Sequence, residues 1–256
     1  MRRAIQALMA REWAALFASR VVWIFAAACL AGGFAVTSGV GGAESAVWMA
    51  LPLVLYLVPL LGLMAGVSAA LGDAEEAPML VPRAPGPLIR ALVKWPLWAG
   101  LIALAALAWL APATIRSGEA DKLLQLWAMT AGEAAIFVAL GLAIGRWAPG
   151  GNSAYLAALL FGFLFIAGAG VLGWVAARSD FFQENPQFWT LGLMAHPVEA
   201  LRVGLMFSLE TLPVDAERLP TLSRWWLAHS GLWYALLVLV WSSAALGFGA
   251  LSREGV

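Results

Sequence analysis

The chain predicts an all-α integral membrane protein, with six transmembrane helices, an N-terminal interfacial segment and a helical periplasmic loop before the last helix. Three observations carry that reading. Hydrophobic residues make up 62% of the 256 and charged residues 12%, against roughly a quarter charged in a soluble domain, so too little polar surface exists to face water all round. Apolar runs of about twenty residues, the length that crosses the hydrocarbon layer, recur six times. Tryptophans gather near the ends of those runs, at Trp23, Trp48, Trp95, Trp98, Trp109, Trp127, Trp147, Trp174, Trp225 and Trp226, where indole rings favour the headgroup boundary.

The N-terminus, MRRAIQALMAREW, places Arg2, Arg3 and Arg11 ahead of the first apolar run. That run has no clear small-residue cleavage site, so it reads as a retained helix rather than a signal peptide. The spans fall at about 21–40, 47–71, 92–112, 124–147, 154–176 and 229–251. Lys and Arg are concentrated in the segments that face the cytoplasm when the N-terminus is inside: Arg2, Arg3, Arg11, Arg20, Arg83, Arg90, Lys94, Arg146 and Arg253. The short loops opposite hold Arg116 and Lys122. Both termini are therefore expected in the cytoplasm, with the chain multi-pass in a bacterial inner membrane.

Two polar segments remain. The inner one, 72–90, reads GDAEEAPMLVPRAPGPLIR; Asp73, Glu75 and Glu76 come first, then Pro78, Pro82, Pro85 and Pro87. Those prolines argue against a continuous helix and for an angular loop. The outer one, 178–228, contains a helix signal: Pro197 suits a first turn, Glu199 stands near the positive helix start, and Val198, Leu201, Leu205 and Leu209 recur at helical spacing. It is expected to lie on the outer membrane surface, with Arg202 on the same helix. In the fifth span the small residues of GFLFIAGAGVLG permit close helix packing.

Several chemistries are excluded by the residues. Fifteen basic and fifteen acidic residues balance, which gives no bias toward nucleic acid. Cys29 is the single cysteine and forms no intrachain disulfide. The strings Val36-Thr37-Ser38-Gly39 and Gly66-Val67-Ser68-Ala69 do not make a serine nucleophile turn, and no base accompanies them. Glu75-Glu76 lies on the opposite side of the bilayer from His196 and His229, so no acid-base or metal site assembles. Met194 and His196 are two donors of the kind copper prefers, which is short of a site. No GxxxxGK[ST] loop is present. The chain is expected to be neither an enzyme nor a holder of metal or cofactor. Glu133, about 13 Å along the fourth span from its outer end, is the acidic residue well inside a predicted span; a carboxylate there needs a partner, a path or a protein interface.

The layout of six helices, an acidic inner loop after the second and a long outer loop before the sixth resembles the ABC-2 type permeases, membrane subunits of ATP-binding-cassette transporters. Within them it is most similar to the NosY-like permeases, which serve copper-site maturation of nitrous oxide reductase. The resemblance rests on Ala10-Arg11-Glu12-Trp13 and Ser19-Arg20 before the first span, and on Tyr56-Leu57-Val58-Pro59-Leu60 leading to Gly72-Asp73 and the acidic pair. It also rests on Asn185-Pro186 followed by His196-Pro197-Val198-Glu199-Ala200-Leu201-Arg202. The chain departs from the family where Ala77-Pro78-Met79-Leu80-Val81-Pro82 replaces a Gly-Thr-Leu stretch and a run of leucines.

The resemblance implies one ABC-2 type transmembrane domain over 1–256, paired with a second permease copy or a similar subunit. It implies an ATPase subunit beneath, which holds ATP and Mg, and a periplasmic partner. Segment 72–90 would couple to the ATPase through Asp73, Glu75, Glu76, Met79, Leu80 and Arg83, and a second contact would use Arg146, Pro149 and Asn152. Two other readings of the residues stay open: a non-transporting membrane scaffold for assembly of a respiratory complex, and an ion-driven secondary transporter that uses Glu133.

Overall fold

The computed structural model describes residues 2–18, 20–39, 51–80, 86–117, 120–148, 150–208 and 219–251. Among them are helices and turns but no strand. Helix α1 (Arg2–Ala18) is followed by α2 (Arg20–Gly39), α3 (Val58–Leu80), α4 (Pro87–Ser117), α5 (Ala120–Trp147) and α6 (Gly151–Ala177). Four shorter helices come next: α7 (Asp180–Glu184), α8 (Pro186–Ala195), α9 (Pro197–Ser208) and α10 (Thr221–Ala228). Helix α11 (Ser230–Ala250) completes the bundle.

Five helices are long and apolar enough to cross a membrane, over Val54–Asp73, Pro87–Pro112, Leu124–Trp147, Gly151–Ala176 and Ser230–Ala250. This is the pattern of an all-α, multi-pass membrane protein. They coincide with the second to sixth expected spans. The first corresponds to α2, whose apolar stretch is the shorter Ala26–Ala35.

Helix α5 is the axis of the bundle: 72% of its apolar window is buried, whereas 11% of that of α6 is. It packs most extensively on α3, then on α11 and α4, and α2 and α1 lie on α4. Residue size explains the α3–α5 contact. Gly62 and Gly66 on α3 face Gly141 and Gly145 on α5, each pair at GxxxG spacing. A methyl group at Gly66 would fall on the Val138 carbonyl, and one at Gly141 on the Leu63 carbonyl. The two backbones therefore meet directly, as small residues allow in lipid. The glycines of α6 divide: nothing lies within 4 Å of a side chain built on Gly168 or Gly170, whereas one on Gly162 would meet Leu63 and Leu60 at 2.9 and 3.0 Å and one on Gly173 would meet Trp189 at 3.2 Å. The fifth expected span thus approaches its neighbours closely at the two ends of GFLFIAGAGVLG, and the direct backbone contact is that of α3 with α5.

Prolines shape three elements. Before α3 a π-helical turn covers Leu53–Leu57, where the ring of Pro59 would press on the Leu55 carbonyl of a regular helix. The expected angular loop over 72–90 is corrected in its first half, because α3 runs unbroken through Pro78 to Leu80. Pro78 removes one backbone bond, to the Ala74 carbonyl, close to a helix end where carbonyls are already losing partners. Pro87 then opens α4, a position its fixed φ suits, and the Gly86 carbonyl accepts from Ile89 and Arg90 at 3.0 and 3.1 Å.

Indoles act as staples as well as belt residues. Trp95 donates to the Ala135 carbonyl and Trp127 to the Ala103 carbonyl, both at 2.7 Å, so these two tie α4 to α5 inside the bundle. Exposed Trp23, Trp147, Trp174 and Trp225 fit the expected belt.

Candidate functional site

One end of the bundle is closed by a buried ion cluster. Asp73, in α3, accepts the Lys94 ammonium at 2.8 Å on Oδ1. Its Oδ2 lies 3.4 Å from an Arg146 nitrogen and 4.0 Å from Nε of Arg90. Lys94 also donates to the Ala69 carbonyl at 3.2 Å and stands 3.6 Å from Glu12 on α1. Arg146 donates to the Pro87 carbonyl at 2.7 Å. The five side chains come from α1, α3, α4 and α5, and Asp73 and Lys94 are only 6% and 4% exposed. At that depth charges are retained only when paired. The cluster therefore fixes where four helices stand relative to one another at this end.

Beyond Asp73 the same helix continues for two turns, carrying Glu75, Glu76, Met79 and Leu80 on helical backbone; their side chains lie outside the description, and Arg83 and Pro149 lie outside the described residues. Asn152 is exposed in the first turn of α6. The turn before it is near the cluster, since a side chain on Gly151 would come 3.6 Å from Leu71. Two of the expected coupling residues, Asp73 and Arg146, thus meet directly. Asp73 is corrected from a surface acid to an internal anchor: its carboxylate is occupied by bases of its own chain. Glu12, Arg90 and Lys94 were not among the expected site residues. Arg90 and Lys94 are four apart and so share a face of α4. A lysine inside an apolar span, with an arginine one turn before it, was the available signal that a carboxylate sits opposite.

Helix α1 extends the cluster along the bundle surface. Leu8 and Leu16 pack on Val93 and Leu97 of α4, while Met9, Trp13 and Phe17 are exposed at four-residue spacing. One side of α1 is held by the protein and the other offers an apolar stripe, the form of an interfacial helix.

A second polar construction involves the segment between α6 and α11. His196 breaks the chain between α8 and α9. Its Nδ1 accepts from the Glu199 amide at 3.3 Å, so Nε2 carries the hydrogen and donates to the Phe165 carbonyl at 3.0 Å. The ring stacks on Phe165 at 4.2 Å. The carbonyls that end α8 are met by indoles of α11: Trp233 donates to Met194 at 2.8 Å and Trp241 to Ala195 at 3.1 Å. With both ring nitrogens engaged, His196 is a helix cap, not half of a copper site. Pro197 opens α9 as expected, and Glu199 is buried and ion-paired with Arg202 one turn on.

Phe165 lies twelve residues before the end of α6, and Trp241 eleven residues into α11. Trp233, three residues into α11, reaches the neighbouring carbonyl, so the elbow sits beside the first half of α11 and the middle of α6. The expectation that the apolar face of α9 rests on lipid is corrected: Val198, Leu201 and Leu205 are buried in the main core. Helices α8 and α9 form a hairpin whose elbow is tied to α6 and α11. The carbonyls freed at the elbow are met by the two indoles and the freed Glu199 amide by Nδ1 of His196, as broken backbone inside an apolar bundle requires.

Glu133 lies in the middle of α5, 0% exposed, with Thr130 one turn before it. Neither carboxylate oxygen has a hydrogen-bond partner among the described residues, and the same holds for the Tyr234 hydroxyl and Ser242 Oγ on α11. Tyr234 and Ser242 were not foreseen. Among the described residues no group of three or more His, Cys, Asp or Glu side chains could hold a metal ion. Compared with known protein families and with characterised proteins, the chain matches none.

Proposed function

We propose that the chain is the membrane subunit of an ABC-2 type transporter, crossing an inner membrane six times with both termini in the cytoplasm, and that it works with a separate ATPase subunit and a second permease copy. The observation that carries this reading is the continuity of α3. A helix that spans the apolar layer runs on into the acidic segment and is clamped at Asp73 to α1, α4 and α5. Such an arrangement is a lever, because a displacement at Glu75–Leu80 has no hinge on which to dissipate before it reaches the bundle. ATP and Mg would be held by the partner, whose closure favours one bundle geometry over another; a ligand shifts an equilibrium only by such a difference. The resemblance to NosY-like permeases makes maturation of a metalloenzyme at the outer face the first process to examine, with either cargo or a conformational signal crossing.

The test uses the full-length protein with its native operon partners. Glu75→Lys with Glu76→Lys should abolish copurification of a Walker-A-bearing ATPase while leaving the thermal unfolding temperature of the permease unchanged. An ATPase that stays bound to this variant would remove the coupling role of the acidic end of α3. Copurification of a respiratory enzyme without any ATPase would favour the scaffold reading.

A further inference from the structure

We infer that Glu133 and Tyr234 form a binding site for one small monovalent cation, sodium in competition with the proton, at the α5–α11 contact inside the bundle. The inference stands on what these groups lack. Both Glu133 oxygens and the Tyr234 hydroxyl are enclosed and make no hydrogen bond among the described residues, so the acid and the phenol do not bond each other. They are nevertheless near neighbours. The Tyr234 ring lies 3.1 Å from the position of a side chain on Gly132, the residue that precedes Glu133 in α5. An enclosed polar group without a partner costs a few kcal/mol, and an ionised carboxylate far more. An occupant that bridges them removes both penalties.

The chemistry of the occupant follows from the donors. Every available atom is oxygen: two from the carboxylate, the phenol, and Thr130 Oγ1, which donates to the Leu126 carbonyl at 2.6 Å and keeps lone pairs free on the face it shares with Glu133. All-oxygen sites suit hard cations rather than copper or zinc. A single carboxylate balances one positive charge, and a divalent ion would leave an excess charge in lipid. Among the described residues no basic side chain bonds to Glu133, and the buried cations Lys94, Arg90 and Arg146 stand at Asp73. A proton on the carboxyl would also remove the charge, which makes the proton the competitor of the cation at this site.

The experiment uses the full-length protein in nanodiscs of neutral lipid, with sodium chloride exchanged for choline chloride at constant ionic strength. Binding to the folded state raises Tm by linkage, so the wild type should gain stability with sodium and Glu133→Gln should gain none. Tyr234→Phe, the variant that holds if the first fails to fold, should need about tenfold more sodium for the same gain, the effect of one lost contact to a charge. Infrared difference spectra of wild type against Glu133→Gln should show a protonated-carboxyl band at low pH that sodium erases. A band that follows pH but ignores sodium would overturn the sodium assignment. A Tm and band insensitive to both would overturn the site. Neither result depends on whether an ATPase partner exists.

Discussion

Asp73 shows how a single buried carboxylate can organise an end of a membrane bundle. It is contacted by Lys94 at 2.8 Å and Arg146 at 3.4 Å, with Arg90 behind them. Removing one member of such a group leaves the others charged and enclosed, a loss of about 3–5 kcal/mol, whereas replacing a matched pair by apolar residues is often neutral. Asp73→Leu alone and Lys94→Met alone should each lower the unfolding temperature in mild detergent, and the double variant should lose less than the two single losses together, with the remainder set by Arg146 and Glu12 left without those partners. Strictly additive losses would mean that the two side chains do not depend on one another. The existence of a charged inner segment was legible in the sequence, but its inward half was not. Asp73 and Lys94 are 21 residues apart on separate helices, and only the angle between α3 and α4 decides whether a basic residue near a span end faces water or an acid.

At the scale of elements, the spans were readable because lipid imposes one requirement on all of them, about twenty apolar residues with their backbone bonds made internally. Which spans touch is a finer matter. Gly62, Gly66, Gly141 and Gly145 carry the α3–α5 contact, while Gly168 and Gly170 in α6 form an equally suggestive pattern that meets open space. Spacing marks a face that can approach a neighbour closely, but the neighbour is set by the whole arrangement. The difference is measurable. Gly66→Ala or Gly141→Ala forces a methyl onto a backbone carbonyl and should destabilise by about 1–3 kcal/mol, whereas Gly168→Ala should leave the unfolding temperature unchanged or raise it, since Ala is the better helix former. Equal losses at all three positions would place α6 in a contact as tight as that of α3 with α5. Pro78 teaches a related point, that a proline breaks a helix where several backbone bonds depend on it and is carried where only one does.

The described bundle differs between its ends, with an ion cluster at one and a helical hairpin tied to α6 and α11 toward the other. Periodicity found α9 and its apolar face correctly, and Val198, Leu201 and Leu205 are buried; what periodicity cannot supply is the identity of the covering surface, lipid or protein. The position of the elbow follows from three ring donors, His196 to Phe165 of α6 and Trp233 and Trp241 of α11 to Met194 and Ala195. A hairpin so held is expected to lie within the apolar layer rather than on its surface. Its depth can be measured with a spin label at Leu191, exposed one turn before the elbow, in protein reconstituted into vesicles. Relaxation should be enhanced by oxygen, which concentrates in the hydrocarbon, more than by a water-soluble nickel chelate, and a label at Phe181, ahead of the hairpin in α7, should show the opposite preference. Equal nickel accessibility at the two positions would place α8 and α9 on the membrane surface.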